Sequence, residues 1–143
     1  GIVHQTRIRE VLMSLTIECQ ERDNGAVIID VRGEITFENS DILRDKLNEL
    51  CDQGRCRLII DLASLKYMSS AGMGVLVHGL KKTRQGKGDL RLVNLSAKMR
   101  RVFLITQFTH HFAVYNTLED AVKSFATATE GGTPFPSTKS SQQ

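Results

Sequence analysis

Two hydrophobic rhythms alternate along this chain. Residues 15–20 alternate apolar and polar, with Leu15, Ile17 and Cys19 on one side. A period of two predicts a half-buried strand. Asp23-Asn24-Gly25 follows as a strong hairpin turn. Residues 26–32 resume as a Val- and Ile-rich strand, which Gly33 ends. The chain therefore opens as an antiparallel hairpin. The rhythm then changes. Within residues 38–53, Ile42, Leu43, Leu47 and Leu50 recur at helical spacing, with cap candidates Asn39, Ser40 and Asp41 before them and a stop at Gly54 after them. Residues 57–62 are apolar on both faces, the mark of a central strand. Residues 70–85 form the second helix, in which Leu76, Val77 and Leu80 can face a sheet. Gly72 and Gly74 in its first turns read as keeping that surface flat and bare, since a glycine inside a helix costs about 1 kcal/mol against alanine.

A turn at residues 86–88 leads to another alternating strand, 89–94, where Leu90 and Leu92 oppose Arg91 and Val93. Ser96 can cap a third helix over 97–105 that carries Val102, Phe103 and Leu104. Residues 112–115 predict a short last strand. Thr117 with Asp120 marks a helix start, and Leu118, Ala121, Val122 and Phe125 give that helix a buried stripe. The order is β-β-α-β-α-β-α-β-α. Strand–helix alternation after a hairpin implies parallel crossovers, so the fold class is α/β with a mixed sheet packed by helices. There is no internal repeat.

With 143 residues, one domain is expected. Residues 13–127 hold it. Residues 1–12 precede Met13 and read as an N-terminal extension or an expression remnant. Residues 128–143 turn to Gly, Thr, Ser, Pro and Gln and predict a disordered tail. A net charge of +3 is too mild to point to nucleic acid. The absence of tryptophan argues against an aromatic-lined cofactor site, and no cofactor is expected. Three cysteines without paired metal spacing fit free thiols in a reducing cytoplasm. No apolar run is long enough to cross a bilayer, so a cytoplasmic protein without membrane insertion is expected.

Several residues invite chemistry, each against a plainer role. Gly72-x-Gly74 lacks both the Gly-Lys-Ser/Thr of a phosphate loop and the third glycine of a dinucleotide fingerprint. His110-His111 has no carboxylate or cysteine at ligand spacing and reads as a solvated pair. Asp61 ends a strand where catalytic carboxylates often sit, but no nucleophile and base accompany it; bracing the following loop is the plainer role. Lys81, Lys82, Arg84 and Lys87 complement the end of the second helix, with docking to an acidic partner as the alternative. The best candidate is Ser69-Ser70, two hydroxyls at a helix start, where free N–H groups and the helix dipole accommodate a phosphate. The plainer reading is that one serine is only an N-cap.

The stretch from the apolar strand Leu58-Ile59-Ile60-Asp61-Leu62 through Ser69-Ser70-Ala71-Gly72-Met73-Gly74 resembles the signature of the STAS domain, in particular the anti-sigma-factor antagonists of bacteria. That family typically carries Asp-Ser-Ser/Thr-Gly-Leu-Gly here. Aligned on Gly72 and Gly74, its phosphorylated serine falls on Ser70 and its preceding aspartate on Ser69, a departure. Gly33-Glu34-Ile35-Thr36 resembles the family's Gly-Glu-Leu-Asp, with Thr36 in place of aspartate. The resemblance covers about residues 14–125 and implies the same element order.

It also implies a function. Such proteins bind an anti-sigma factor that is a serine kinase, free a sigma factor, and are switched off by phosphorylation. A PP2C-type phosphatase reverses the switch. Kinase and nucleotide chemistry belong to the partner, so the chain is not an enzyme but a substrate and ligand, a monomer or weak homodimer. The implied phosphorylation site is Ser70. The expected partner surface combines Thr36, Phe37, Met68, Ser69, Ser70, Gly72, Met73 and Leu76. Two rivals stand beside it: an unphosphorylated STAS scaffold or sensor module in a signalling or transport-associated assembly, and a small α/β enzyme using Asp61 and Ser70.

Overall fold

A computed structural model describes residues 14–131. Strands β1 (Leu15–Glu21) and β2 (Val27–Ile35) form the expected antiparallel hairpin, with Gly25 at φ 88° in its turn. Helix α1 (Ser40–Asp52), strand β3 (Arg57–Asp61), strand β4 (Leu65–Met68) and helix α2 (Ser70–Gln85) follow. Strand β5 (Asp89–Val93), helix α3 (Ala97–Ile105), a 3-10 turn (Phe108–His110), strand β6 (Val114–Tyr115) and helix α4 (Leu118–Gly131) complete the chain. The expected extension, residues 1–12, lies outside the described residues. The expected tail lies outside them from residue 132 onward, and residues 128–131 complete α4.

The sheet runs β1-β2-β3-β5-β6, with all contacts parallel except the hairpin. Its side chains split by the two-residue period. Ile29, Val31, Leu58, Ile60, Leu90 and Leu92 face α1 and α2, where Leu43, Leu47, Val75, Leu76 and Leu80 meet them. Ile28, Ile59 and Val93 face the other way, against Ala121, Val122 and Phe125 of α4. With helices on both faces, β5 is buried along its whole length, not on alternate positions as its Leu/Arg pattern suggests. Arg91 is tolerated there because its Nε donates to Asp89 at 2.9 Å, its Nη1 donates to Ser124 Oγ at 2.6 Å, and its guanidinium stacks 4.0 Å from the Phe125 ring. A buried charge needs that degree of pairing.

Two features depart from the sequence reading. Gly33 does not end β2. It sits inside the strand at φ 98°, where the pairing with β4 shifts register, and it is glycine because a Cβ there would collide with the Ser14 carbonyl. And β4 is an additional strand. The chain leaves β3 at Asp61 and returns alongside the far half of β2, where Glu34 and Ile35 pair with Tyr67 and Met68. One edge of β2 therefore carries β3 first and β4 second.

Candidate functional site

Strand β4 delivers the two serines. The Ser69 N–H donates to the Ile35 carbonyl at 2.9 Å, which locks the end of β4 beside the end of β2. Ser69 then turns the chain in an extended conformation (φ −77°, ψ 172°), and its Oγ accepts from the Gly72 N–H at 3.4 Å. Ser69 is the N-cap. Ser70 is the first residue of α2 and is exposed, and its hydroxyl makes no hydrogen bond among the described residues. The plain role and the chemical role thus fall on different serines: one hydroxyl is used to start the helix, and the next is left to solvent. A phosphate on Ser70 would lie at the positive end of the helix dipole, which tolerates such charge.

The neighbouring β2–α1 turn is held by Asn39, which is fully buried. Its Oδ1 accepts from the Thr36 N–H at 2.8 Å, and its Nδ2 donates to the Glu34 carbonyl at 3.0 Å and to Ser14 Oγ at 2.9 Å. Asn39, one of the cap candidates, holds the N-cap position, but its side chain makes no cap hydrogen bond and instead ties a strand end, a helix start and the segment before β1 into one turn. That turn presents Phe37 to solvent at 82% exposure. Thr36, Met68, Ser69 and Met73 are partly exposed and Ser70 is exposed, close to the joined ends of β2 and β4 where Ile35 pairs with Met68.

Two expected surface residues are not exposed. Leu76 is 0% exposed and packs in the core with Val75 and Leu80, on the inward side of α2. Gly72 is buried too. A Cβ there would lie 2.5 Å from Met68 Cγ and 2.9 Å from Ile35 Cγ2, so this glycine lets the helix start seat against β2 and β4. Only Gly74 fits the bare-surface reading: it is exposed, and a Cβ there would meet nothing within 4 Å.

A groove of about 540 Å³ opens beside Ser70, between the start of α2 and helix α3. Tyr67, Met73, Met99, Val102 and Phe108 give it apolar walls. The contribution of α3 escaped the sequence reading. Of that helix's apolar residues only Phe103 is fully buried, against Phe108 and Phe112 at ring-centroid distances of 5.6 and 6.1 Å. Val102, Leu104 and Ile105 stand out from the body, 41%, 65% and 76% exposed. The run of four apolar residues was the available signal, since one amphipathic face buries only part of such a run.

The matches to known proteins agree with this geometry. The STAS domain family matches residues 16–121. The chain belongs to the STAS domain family. It is 35% identical over 116 residues to BtrV of Bordetella bronchiseptica, covering 81% of this chain and 97% of that protein. It is 35% identical over 94 residues to the anti-sigma-B factor antagonist of Bacillus subtilis, covering 66% of this chain and 84% of that protein. The solved structure of the Bacillus cell fate determinant SpoIIAA in its phosphorylated form shares the fold, with a TM-score of 0.63 at 23% identity over 76% of this chain and 98% of that one.

Asp61, Lys82 and Arg84 of this STAS domain have structural partners. Asp61 Oδ1 accepts from the Ala63 N–H and from Asn94 Nδ2, both at 3.0 Å, and so braces the loop into β4. Lys82 pairs with Asp52 at 3.2 Å, and Arg84 pairs with Asp89 at 3.1 Å and donates to the His111 carbonyl. The cysteines are free thiols, and burial, with Cys56 beside it, pushes the Cys51 thiol up to about 12. Among the described residues no cluster could hold a metal ion, and no helix is long and apolar enough to cross a membrane.

Proposed function

We propose that this STAS domain is an anti-sigma factor antagonist: it binds an anti-sigma factor that is a serine kinase, frees a sigma factor, and is switched off by phosphorylation of Ser70. The observation that carries the reading is the division of labour at the helix start, where Ser69 caps and Ser70 stays exposed, with no hydrogen bond from its hydroxyl among the described residues. The names of its relatives support the same role. Docking uses Thr36, Phe37, Met68, Ser69, Ser70 and Met73. A phosphate on Ser70 brings a charge of about −1.5 to −2 and a hydration shell into that surface, and opposes docking by repulsion and desolvation. No large rearrangement is needed, because the helix N-terminus accepts the charge in place. The kinase supplies ATP and the catalytic groups, and a PP2C-type phosphatase removes the phosphate.

The test is mass spectrometry of the intact chain and its peptides after incubation with the serine-kinase anti-sigma factor of the same genome and ATP. One phosphate, on Ser70, is expected. Ser70→Ala should remain unmodified and still bind the kinase, and Ser70→Asp should bind it more weakly. Phosphate on Ser69 alone, or none with a kinase active on another antagonist, overturns the reading.

A further inference from the structure

Gly74 has no reason inside the fold to be glycine. Its backbone is not in the left-handed region, and a side chain there would enter open space. Gly72 and Gly79 of the same helix differ: a Cβ at either would press on buried side chains, Ile35 and Met68 at the first and Leu47 and Leu90 at the second. Yet Gly74 lies inside α2, where glycine weakens a helix against any ordinary residue. Gly74 lines the groove, one helical turn from Ser70 and on the same face. A bare backbone at this point serves something that approaches from outside the fold.

The groove itself describes what approaches. Three of the chain's four methionines line it, Met68, Met73 and Met99, and such side chains adapt to an incoming apolar surface. Among the described residues its charged lining residues are Lys66 and Lys98, and no acidic residue lines it. Helix α3 adds Arg100 and Arg101 and has no carboxylate. Leu104 and Ile105 extend the apolar surface beyond the groove, which suits a macromolecule better than a small ligand.

We infer that the groove between α2 and α3 seats an amphipathic helix of a partner protein, its apolar stripe packed over Gly74 and its acidic residues meeting Lys66 and Lys98. The inference rests on the docking reading above and extends it onto α3, which that reading does not use. Helix-in-groove recognition uses an apolar floor for the partner's apolar stripe, and a basic rim selects acidic residues flanking it. It also gives the Ser70 switch a target. A phosphate at Ser70 stands at the mouth of the groove, repels an acidic helix and competes for the same lysines.

Two experiments test it. In the first, the chain carries 13C-methyl methionine and is titrated with a 16-residue helical peptide bearing a Leu/Ile stripe flanked by glutamates. A second peptide has lysines in place of those glutamates, and phosphatidylglycerol vesicles provide a membrane arm. The Met68, Met73 and Met99 signals should shift with the glutamate peptide and at least tenfold more weakly with the lysine peptide. Gly74→Gln should lose the response at least tenfold while melting no lower than the wild type. No shift with the glutamate peptide, an equal shift with the lysine peptide, or a shift with vesicles alone overturns the inference. In the second, Gly74→Gln and the double variant Val102→Glu/Ile105→Glu should each bind the serine-kinase anti-sigma factor at least tenfold more weakly. If both bind like the wild type while Ser70→Asp does not, the inference fails and the Ser70 reading stands. If the wild type neither binds the kinase nor is phosphorylated, the Ser70 reading fails, and the methionine titration still decides the groove.

Discussion

Two adjacent serines with different fates make the residue scale decisive. Ser69 Oγ accepts a cap hydrogen bond from the Gly72 N–H, and Ser70 makes no such bond. Ser69→Ala should therefore cost about 0.5–2 kcal/mol. Ser70→Ala should stay within about 0.5 kcal/mol of the wild type, as surface substitutions do. Urea unfolding of the two variants measures the difference, and equal losses would show that the cap is shared. The two glycines diverge in the same way. Gly74→Ala should stabilise by up to about 1 kcal/mol. Gly72→Ala should destabilise, because its Cβ would meet Ile35, a fully buried branched side chain with nowhere to move. Sequence spacing placed both serines at a helix start. It could not separate the glycines, since which side of a first helical turn faces inward depends on the strands beneath it.

At the scale of elements, legibility follows how much of an element's pattern is its own. The hairpin, the central strand β3 and helices α1, α2 and α4 carry long periodic runs and proved readable. The caps Ser96 and Thr117 also sit where local chemistry puts them, accepting from Met99 N and Asp120 N at 3.1 Å. Strand β4 has four residues, too few for a period, and exists because β2 offers it an edge. Gly33 reads locally as a strand end, yet it pairs with Leu15 of β1, and β4 carries β2 on to Ile35. Helix α3 is the least anchored of the helices, with one fully buried residue, Phe103. Its amides should exchange hydrogen faster than those of α1 and α2 in native-state exchange. Protection in α3 equal to that in α2 would contradict this, and protection gained on adding the glutamate peptide would mark the groove as occupied.

Over the whole molecule, two cores share one sheet, and a buried charge sits in the smaller one. Removing Arg91 leaves Asp89 buried with only Arg84 beside it, so Arg91→Ala should cost about 3–5 kcal/mol. Arg91→Met keeps the apolar stem over Phe125 and should cost less, provided Asp89 is changed to Asn with it; thermal melts of the two variants decide. Stability should also fall at alkaline pH. Burial, foremost, raises the pKa of Cys51 to about 12 and raises that of Tyr115. Each group keeps its proton in the folded state at a pH where the unfolded chain, with values of 9.0 for cysteine and 10.0 for tyrosine, releases it. That contribution is complete below about pH 9 and is lost as pH rises through the folded values. Urea midpoints should decline as pH rises above about 9, and a flat profile between about pH 9 and 11 would refute the assignment. The sequence by itself determined the α/β class, the order of the long elements and the pairing of a serine with a helix start, because periodic burial and capping are local and leave their mark residue by residue. Only the tertiary structure decided that Leu76 and Gly72 turn inward, that Asn39 clasps three segments, and that α3 completes a groove beside Ser70. Those facts depend on what lies across from each residue, and distant parts of the chain supply it.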